Sequence, residues 1–244
     1  MASTIAGVRD RNLLLATVPP DEYERLLPKL QSLSIAADHV LIEPFKPIRH
    51  AYFPIYGVVS LLLPVGAARQ IEAGMVGNEG LAGVCLALGS DRAPMRAVAQ
   101  TESHGLRMSA EDFQAEMQRN DSLANAVRRY AQGYLVMLSQ GLVCLHAHKI
   151  EQRCVRWLLM LHDRVPTDRF QLTHQSLARM LGVRRASVSE VAGRLQSYGL
   201  LRYERGVITI LDRGGLEKRA CECYRIVRRE LTRLLAPLIP ARPR

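Results

Sequence analysis

The chain of 244 residues lacks any long hydrophobic run. Its longest, residues 81–89, is about half of the roughly 18 residues that a membrane span requires; no membrane partner is expected. No secretory leader is expected either, because Arg9, Asp10 and Arg11 precede only a short apolar stretch, Leu13–Ala16. A cytoplasmic location is expected. The five cysteines, at positions 85, 144, 154, 221 and 223, are odd in number and scattered. They do not make a disulfide framework in a chain large enough to bury its own core. With 48% hydrophobic and 23% charged residues, the composition is that of a globular protein rather than a disordered one.

What is present is a one-sided charge. Residues 1–148 hold 13 basic and 14 acidic side chains, whereas residues 149–244 hold 20 and 9. The whole net charge of +10 therefore sits in the last two fifths of the chain. A basic domain joined to a neutral one points to a polyanion partner, with nucleic acid first in line.

Pro19-Pro20-Asp21-Glu22 reads as the opening of a short helix within an N-terminal stretch, residues 1–35, that is helical and then irregular. Between about residues 38 and 110 the pattern changes to short apolar runs, at 40–42, 51–55, 58–63, 95–99 and 105–108, punctuated by Gly, Pro, Asn and Asp. Such spacing predicts an antiparallel sandwich or barrel. Ser109 caps a helix that opens with Glu111 and Asp112. A longer helix follows, in which Leu123, Val127, Tyr130, Tyr134, Met137, Gly141 and Cys144 recur every 3.5 residues. That repeat is the seam of a coiled coil. A core helix packed within its own chain would show the same stripe; its strictness favours a second copy as partner. Another apolar helix covers residues 149–163, and Val165-Pro166-Thr167-Asp168 ends it.

The strongest signal lies at residues 171–211. Thr173 caps a first helix whose Leu177, Ala178 and Leu181 share a face, and Gly182-Val183 turns the chain. A second helix, Arg185–Ser197, carries Val188, Val191, Ala192 and Leu195 as a buried stripe. Two short helices joined at a glycine form a helix-turn-helix. The second helix begins with Arg184, Arg185, Ser187, Ser189 and Glu190, with Arg194 further along. In that position an Arg can read guanine and a Glu can accept from cytosine. Two alternating strands then flank Glu204-Arg205-Gly206, making a basic hairpin in which Arg202 and Arg205 can neutralise phosphate.

Residues 171–191, with Leu195-Gln196 and Gly199-Leu200-Leu201 behind them, resemble the DNA-binding domain of the CRP/FNR transcription regulators. The resemblance extends to the seam helix and to the segment from Tyr52 to Val59. It implies an α+β chain: an antiparallel β-roll of the cyclic-nucleotide-binding-like kind over residues 1–119, a dimerisation helix over 120–148, and a winged helix-turn-helix over 149–244. It further implies a homodimer on palindromic double-stranded DNA, with RNA polymerase and a small-molecule effector as further partners. By position, Arg185 falls on the family's guanine-reading Arg, and His174, Gln175, Arg184 and Ser187 on phosphate contacts. Ala186 and Glu190 depart from the pattern of the best-known members, so the operator is expected to differ from theirs.

In members that bind cyclic AMP, a Gly-Glu turn works with an Arg-Ser pair about ten residues later. Here Gly77 and Glu79 supply the turn, but Ala93-Pro94 stands where Arg-Ser belongs, flanked by Arg92 and Arg96. Without a bidentate Arg the cyclic phosphate loses its anchor; an effector other than cyclic AMP, or none, is expected. No cysteine precedes position 85 to hold an iron–sulfur cluster of the FNR kind. Cys221 and Cys223 are set in what reads as a single helix through Leu216, Ala220, Val227 and Leu231. There i and i+2 point about 200° apart, poor for one metal, and His146 and His148 meet the same objection. No metal or cofactor is expected, and a redox-responsive regulator using Cys221 or Cys223 is the runner-up. A cupin-like metal enzyme would need His-x-His on a strand; His39, His50 and His104 are widely spaced, so no catalysis is expected.

Overall fold

A computed structural model describes residues 9–66 and 69–235. Asn12 follows a 3-10 turn at Arg9–Arg11: its Oδ1 accepts from the N–H groups of Leu14 and Leu15, capping helix α1 (Leu13–Ala16), and its Nδ2 donates to the Pro54 and Gly80 carbonyls at 2.9 Å. Pro20 starts helix α2 (Pro20–Leu26), with Asp21 and Glu22 in the positive first turn.

Seven strands follow: β1 (Gln31–Ile35), β2 (Val40–Ile42), β3 (His50–Tyr56), β4 (Val59–Val65), β5 (Arg69–Val76), β6 (Arg96–Ala99) and β7 (Ser103–Ser109). They form two antiparallel sheets, ordered β1-β7-β3 and β2-β6-β4-β5. Phe53, Leu106, Met108, Val59 and Met75 fill the space between them. The antiparallel β region expected from the punctuation is therefore present. β1 replaces the irregular stretch expected before residue 35; it is an edge strand whose only buried side chain is Ile35, so no apolar alternation announces it.

Ser109 caps helix α3 (Ala110–Arg119) by accepting from the Asp112 N–H at 3.0 Å. Helix α4 (Ser122–Ala147) then runs 26 residues, a length of about 39 Å. Its 3.5-residue stripe is not open for a partner. Leu123, Val127, Tyr130, Tyr134 and Met137 are buried in the chain's own core. Tyr130 lies against Gly80, Met137 and Tyr134 against Gly74 of β5, and Gly141 over the Ala73 carbonyl. Periodicity identifies a covered face but not what covers it.

The C-terminal part comprises helix α5 (Ile150–His162), strand β8 (Arg169–Gln171), helices α6 (His174–Leu181) and α7 (Arg185–Ser197), strands β9 (Leu201–Glu204) and β10 (Val207–Ile210), and helices α8 (Arg213–Arg219) and α9 (Glu222–Leu235). The expected two-stranded hairpin is a three-stranded antiparallel sheet, β8-β10-β9. The single helix read through residues 216–234 is broken. Ala220 is extended (φ −66°, ψ 148°), so Cys221 precedes α9 and Cys223 lies in its first turn. α9 returns to α4, where Leu231 closes on Gly133. Among the described residues, no helix is long and apolar enough to cross a membrane.

Candidate nucleic-acid interface

Thr173 Oγ1 accepts from the Ser176 N–H at 3.0 Å and so starts α6. Leu177, Ala178, Met180 and Leu181 turn inward, and Gly182 (φ 66°) ends the helix in the left-handed conformation that glycine adopts freely. α7 buries Val188, Val191, Ala192 and Leu195. That choice fixes the opposite face outward: Arg184, Arg185, Ser189 and Glu190 are exposed, as is Gln175 at the start of α6, and Ser187 is half-buried. No acidic residue stands in the first turn of α7, so the helix N-terminus keeps its attraction for anions.

His174 joins the two helices to the hairpin. Its ring stacks on Tyr203, with centroids 4.0 Å apart, and its Nδ1 lies 3.0 Å from Ser189 Oγ. Burial, and then the nearby Arg185 charge, lower its pKa, which favours the neutral ring. Tyr203 donates from its hydroxyl to the Leu172 carbonyl at 2.9 Å and from its N–H to Gln196 at 2.8 Å. This fastener was not singled out in the sequence; the alternation in β9, which turns Leu201 and Tyr203 to one side, was its only signal.

The hairpin turn places Arg205 and Gly206 both at positive φ, 49° and 82°, as a two-residue turn between right-twisted strands demands. Arg205 is thereby exposed at the tip. Thr209 of β10 pairs with Arg202 on one side and Arg169 on the other. β8 thus adds an arginine that the sequence reading missed. Arg194 stands apart: it is ion-paired with Glu151 of α5 at 2.9 Å. Arg184, Arg185 and Arg205 enter no ion pair among the described residues, although the neighbouring Arg202 lies 3.9 Å from Glu204.

Residues 152–219 match the family model of the Crp-like helix-turn-helix domain. In this segment the chain is similar to that domain. About four fifths of the chain shares the fold of solved CRP/FNR-type regulators. It is similar to FixK2 from Bradyrhizobium japonicum (15% identity, 79% of this chain and 98% of that one, TM-score 0.67). It is also similar to the c-di-GMP responsive global regulator CLP of Xanthomonas campestris (21% identity, 79% and 99%, TM-score 0.62). A CRP-family transcriptional regulator from Thermus thermophilus gives 21% identity, 77% and 96% coverage, and a TM-score of 0.63. No curated protein matches the chain by sequence. Residues 220–235, including α9, lie beyond the matched Crp-like domain.

The four candidate effector residues of the β-roll are not brought together. Glu79 is buried and takes Arg164 at 2.7 Å, and Gly77 leaves the room that the Arg164 side chain fills. Arg96 pairs with Glu43 at 2.8 Å, and the exposed Arg92 reaches the Phe45 carbonyl and lies 3.8 Å from Asp91. Ala93 and Met95 line an apolar cavity of about 20 Å³ inside the roll, far below the roughly 300 Å³ at which ligand pockets begin. A larger cavity, about 310 Å³, opens between the roll and the Crp-like domain beside Glu79, Arg164 and Tyr224.

Cys144 does not face a partner helix. It is buried beside Cys221, and Cys223 beside His148.

Proposed function

We propose that the chain is a homodimeric, sequence-specific DNA-binding regulator of transcription that acts on a palindromic site. The observation that carries this reading is the exposed Arg184-Arg185 pair, without an ion-pair partner among the described residues, at the start of a helix whose other face is locked into a Crp-like domain. Arg185 reads a guanine in the major groove; Arg184, Gln175, Ser187 and the wing residues Arg202 and Arg205 hold phosphates. His174 positions the reading helix against the wing, and Ser189 and Glu190 extend the reading face. Arg194, engaged by Glu151, steadies α7 rather than touching DNA.

The dimer face is a second stripe on α4. Leu135, Leu142 and Leu145 are 58%, 64% and 51% exposed, and Leu138 is half-buried. They step by 3, 4 and 3 residues, the seam period, and lie roughly a quarter turn around the helix from the stripe that the chain covers itself. A second copy laid along this stripe relates two reading helices by a two-fold axis, with half-sites about 34–36 Å apart. The engagement of Glu79 by Arg164 and of Arg96 by Glu43 supports an effector other than a cyclic nucleotide, or none.

Arg185→Ala tests the reading role. Binding to a selected site is expected to weaken by about 1–3 kcal/mol, with discrimination relaxed at one base pair per half-site. An equal loss on selected and random duplexes would remove the base contact.

A further inference from the structure

We propose that Cys144, His148, Cys221 and Cys223 form a tetrahedral site for a zinc-class divalent cation that clamps the last helix to the end of the long helix. The site stands whether or not the chain binds DNA.

The four residues come from two distant segments. Cys144 sits in the last turn of α4 and His148 follows four residues later, as its C-cap. Cys221 and Cys223 flank the start of α9. The break at Ala220 is what lets both cysteines reach one point, since on a continuous helix they would diverge. All four ligand atoms lie within 4.8 Å of one another, the three cysteines buried and the histidine half-buried. Cys144 Sγ is 3.6 Å from Cys221 Sγ, and Cys223 Sγ is 3.7 Å from His148 Nδ1. A tetrahedron with zinc–sulfur bonds of about 2.3 Å has edges of about 3.8 Å. Three thiolates and one imidazole form a closed structural zinc set, and soft sulfur donors exclude the hard cations.

The surroundings fit the same occupant. His148 presents Nδ1 to Cys223 while its Nε2 lies 3.2 Å from a carboxylate oxygen of Glu222. A carboxylate behind a histidine is the arrangement that orients metal-bound imidazoles. Three thiolates around a dication leave one negative charge. Arg156 acts electrostatically on Cys144 and Cys223, and its Nε is buried without a hydrogen-bond partner; it supplies the compensating charge. The remaining cysteines, Cys85 and Cys154, lie outside the cluster.

The test begins with the full chain purified under reducing conditions and dialysed against metal-free buffer. Elemental analysis is expected to find about one zinc per chain, and exchange with Co2+ to give the intense visible bands and sulfur-to-cobalt charge transfer of a tetrahedral thiolate site. Cys221→Ser and Cys144→Ser should abolish both signals. Glu222→Gln keeps all four ligands and removes only the charge of the carboxylate behind His148, yet should weaken the metal about 10–100-fold in competition with a chelator. The proposal is overturned if the wild-type chain holds no zinc and gives no cobalt spectrum. It is overturned equally if the metal survives both cysteine substitutions.

Discussion

Arg164 donates to a single oxygen of Glu79 twice, from Nε at 3.0 Å and from Nη2 at 2.7 Å, with both side chains buried where the β-roll meets the C-terminal domain. The carboxylate expected to meet an effector is committed to joining two parts of the chain. Arg164 also donates to the Met160 carbonyl at 2.6 Å, so its guanidinium is held from both sides. Breaking a buried pair strands a charge, whereas replacing both partners does not. Arg164→Met is expected to lower unfolding stability by about 3–5 kcal/mol, and adding Glu79→Gln to recover much of that loss. Denaturant midpoints of the four-membered cycle check it; additive losses would contradict the coupling.

A second contact across the same junction responds to pH. Glu72 of β5 accepts from Ser60 Oγ and from Trp157 Nε1, each at 2.6 Å. Burial raises its pKa from 4.5 to about 7, against the opposing pull of those two donors and of Arg156 and Arg164. The folded chain then binds a proton that the unfolded chain has released between those two values. Its stabilising contribution is complete below pH 4.5 and is lost as pH rises through about 7. The size is on the order of 1–3 kcal/mol. Trp157 is the only tryptophan, so its emission should titrate near pH 7 and stop doing so in Glu72→Gln. A flat wild-type profile from acid to alkaline pH would contradict the assignment.

The wing makes a prediction about salt. Arg205, exposed at the hairpin tip, carries a phosphate contact in the proposed complex. Arg205→Ala should weaken selected and random duplexes alike and reduce the slope of log affinity against log salt by about 1 per wing engaged. An unchanged slope in filter-binding or anisotropy titrations would remove the wing from the interface.

The two stripes of α4 separate folding from assembly. Leu135→Asp with Leu142→Asp, at the exposed positions of the second stripe, is expected to give folded monomers by light scattering with circular dichroism unchanged. Val127→Asp, by contrast, buries a carboxylate in a core position that is fully covered, and should cost stability rather than dimerisation. A dimer that survives the double leucine substitution would place the interface elsewhere.

The helix-turn-helix was legible because Val188, Val191, Ala192 and Leu195 mark its buried face and Gly182 its turn. The sheets of the roll were legible where apolar runs alternate with turn residues, and illegible at β1 and β8, whose side chains are mostly exposed. The face of α4 was misread for a different reason. Both of its stripes have the same period, and only the fold shows which one the roll covers. Cys221 and Cys223 were set aside as ligands because a continuous helix was read through them, and the break between Arg219 and Glu222 carries neither glycine nor proline to announce it. Arg169 and Tyr203 were missed because their partners, Thr209 and His174, are remote in sequence.

The central claim is a two-fold, sequence-specific interface with DNA. Selection of the purified 244-residue chain against a randomised duplex pool, at about 0.15 M salt, tests it most directly. The account predicts enrichment of one palindrome whose half-sites are centred a single helical turn apart. Salt-sensitive binding that enriches no sequence would contradict it.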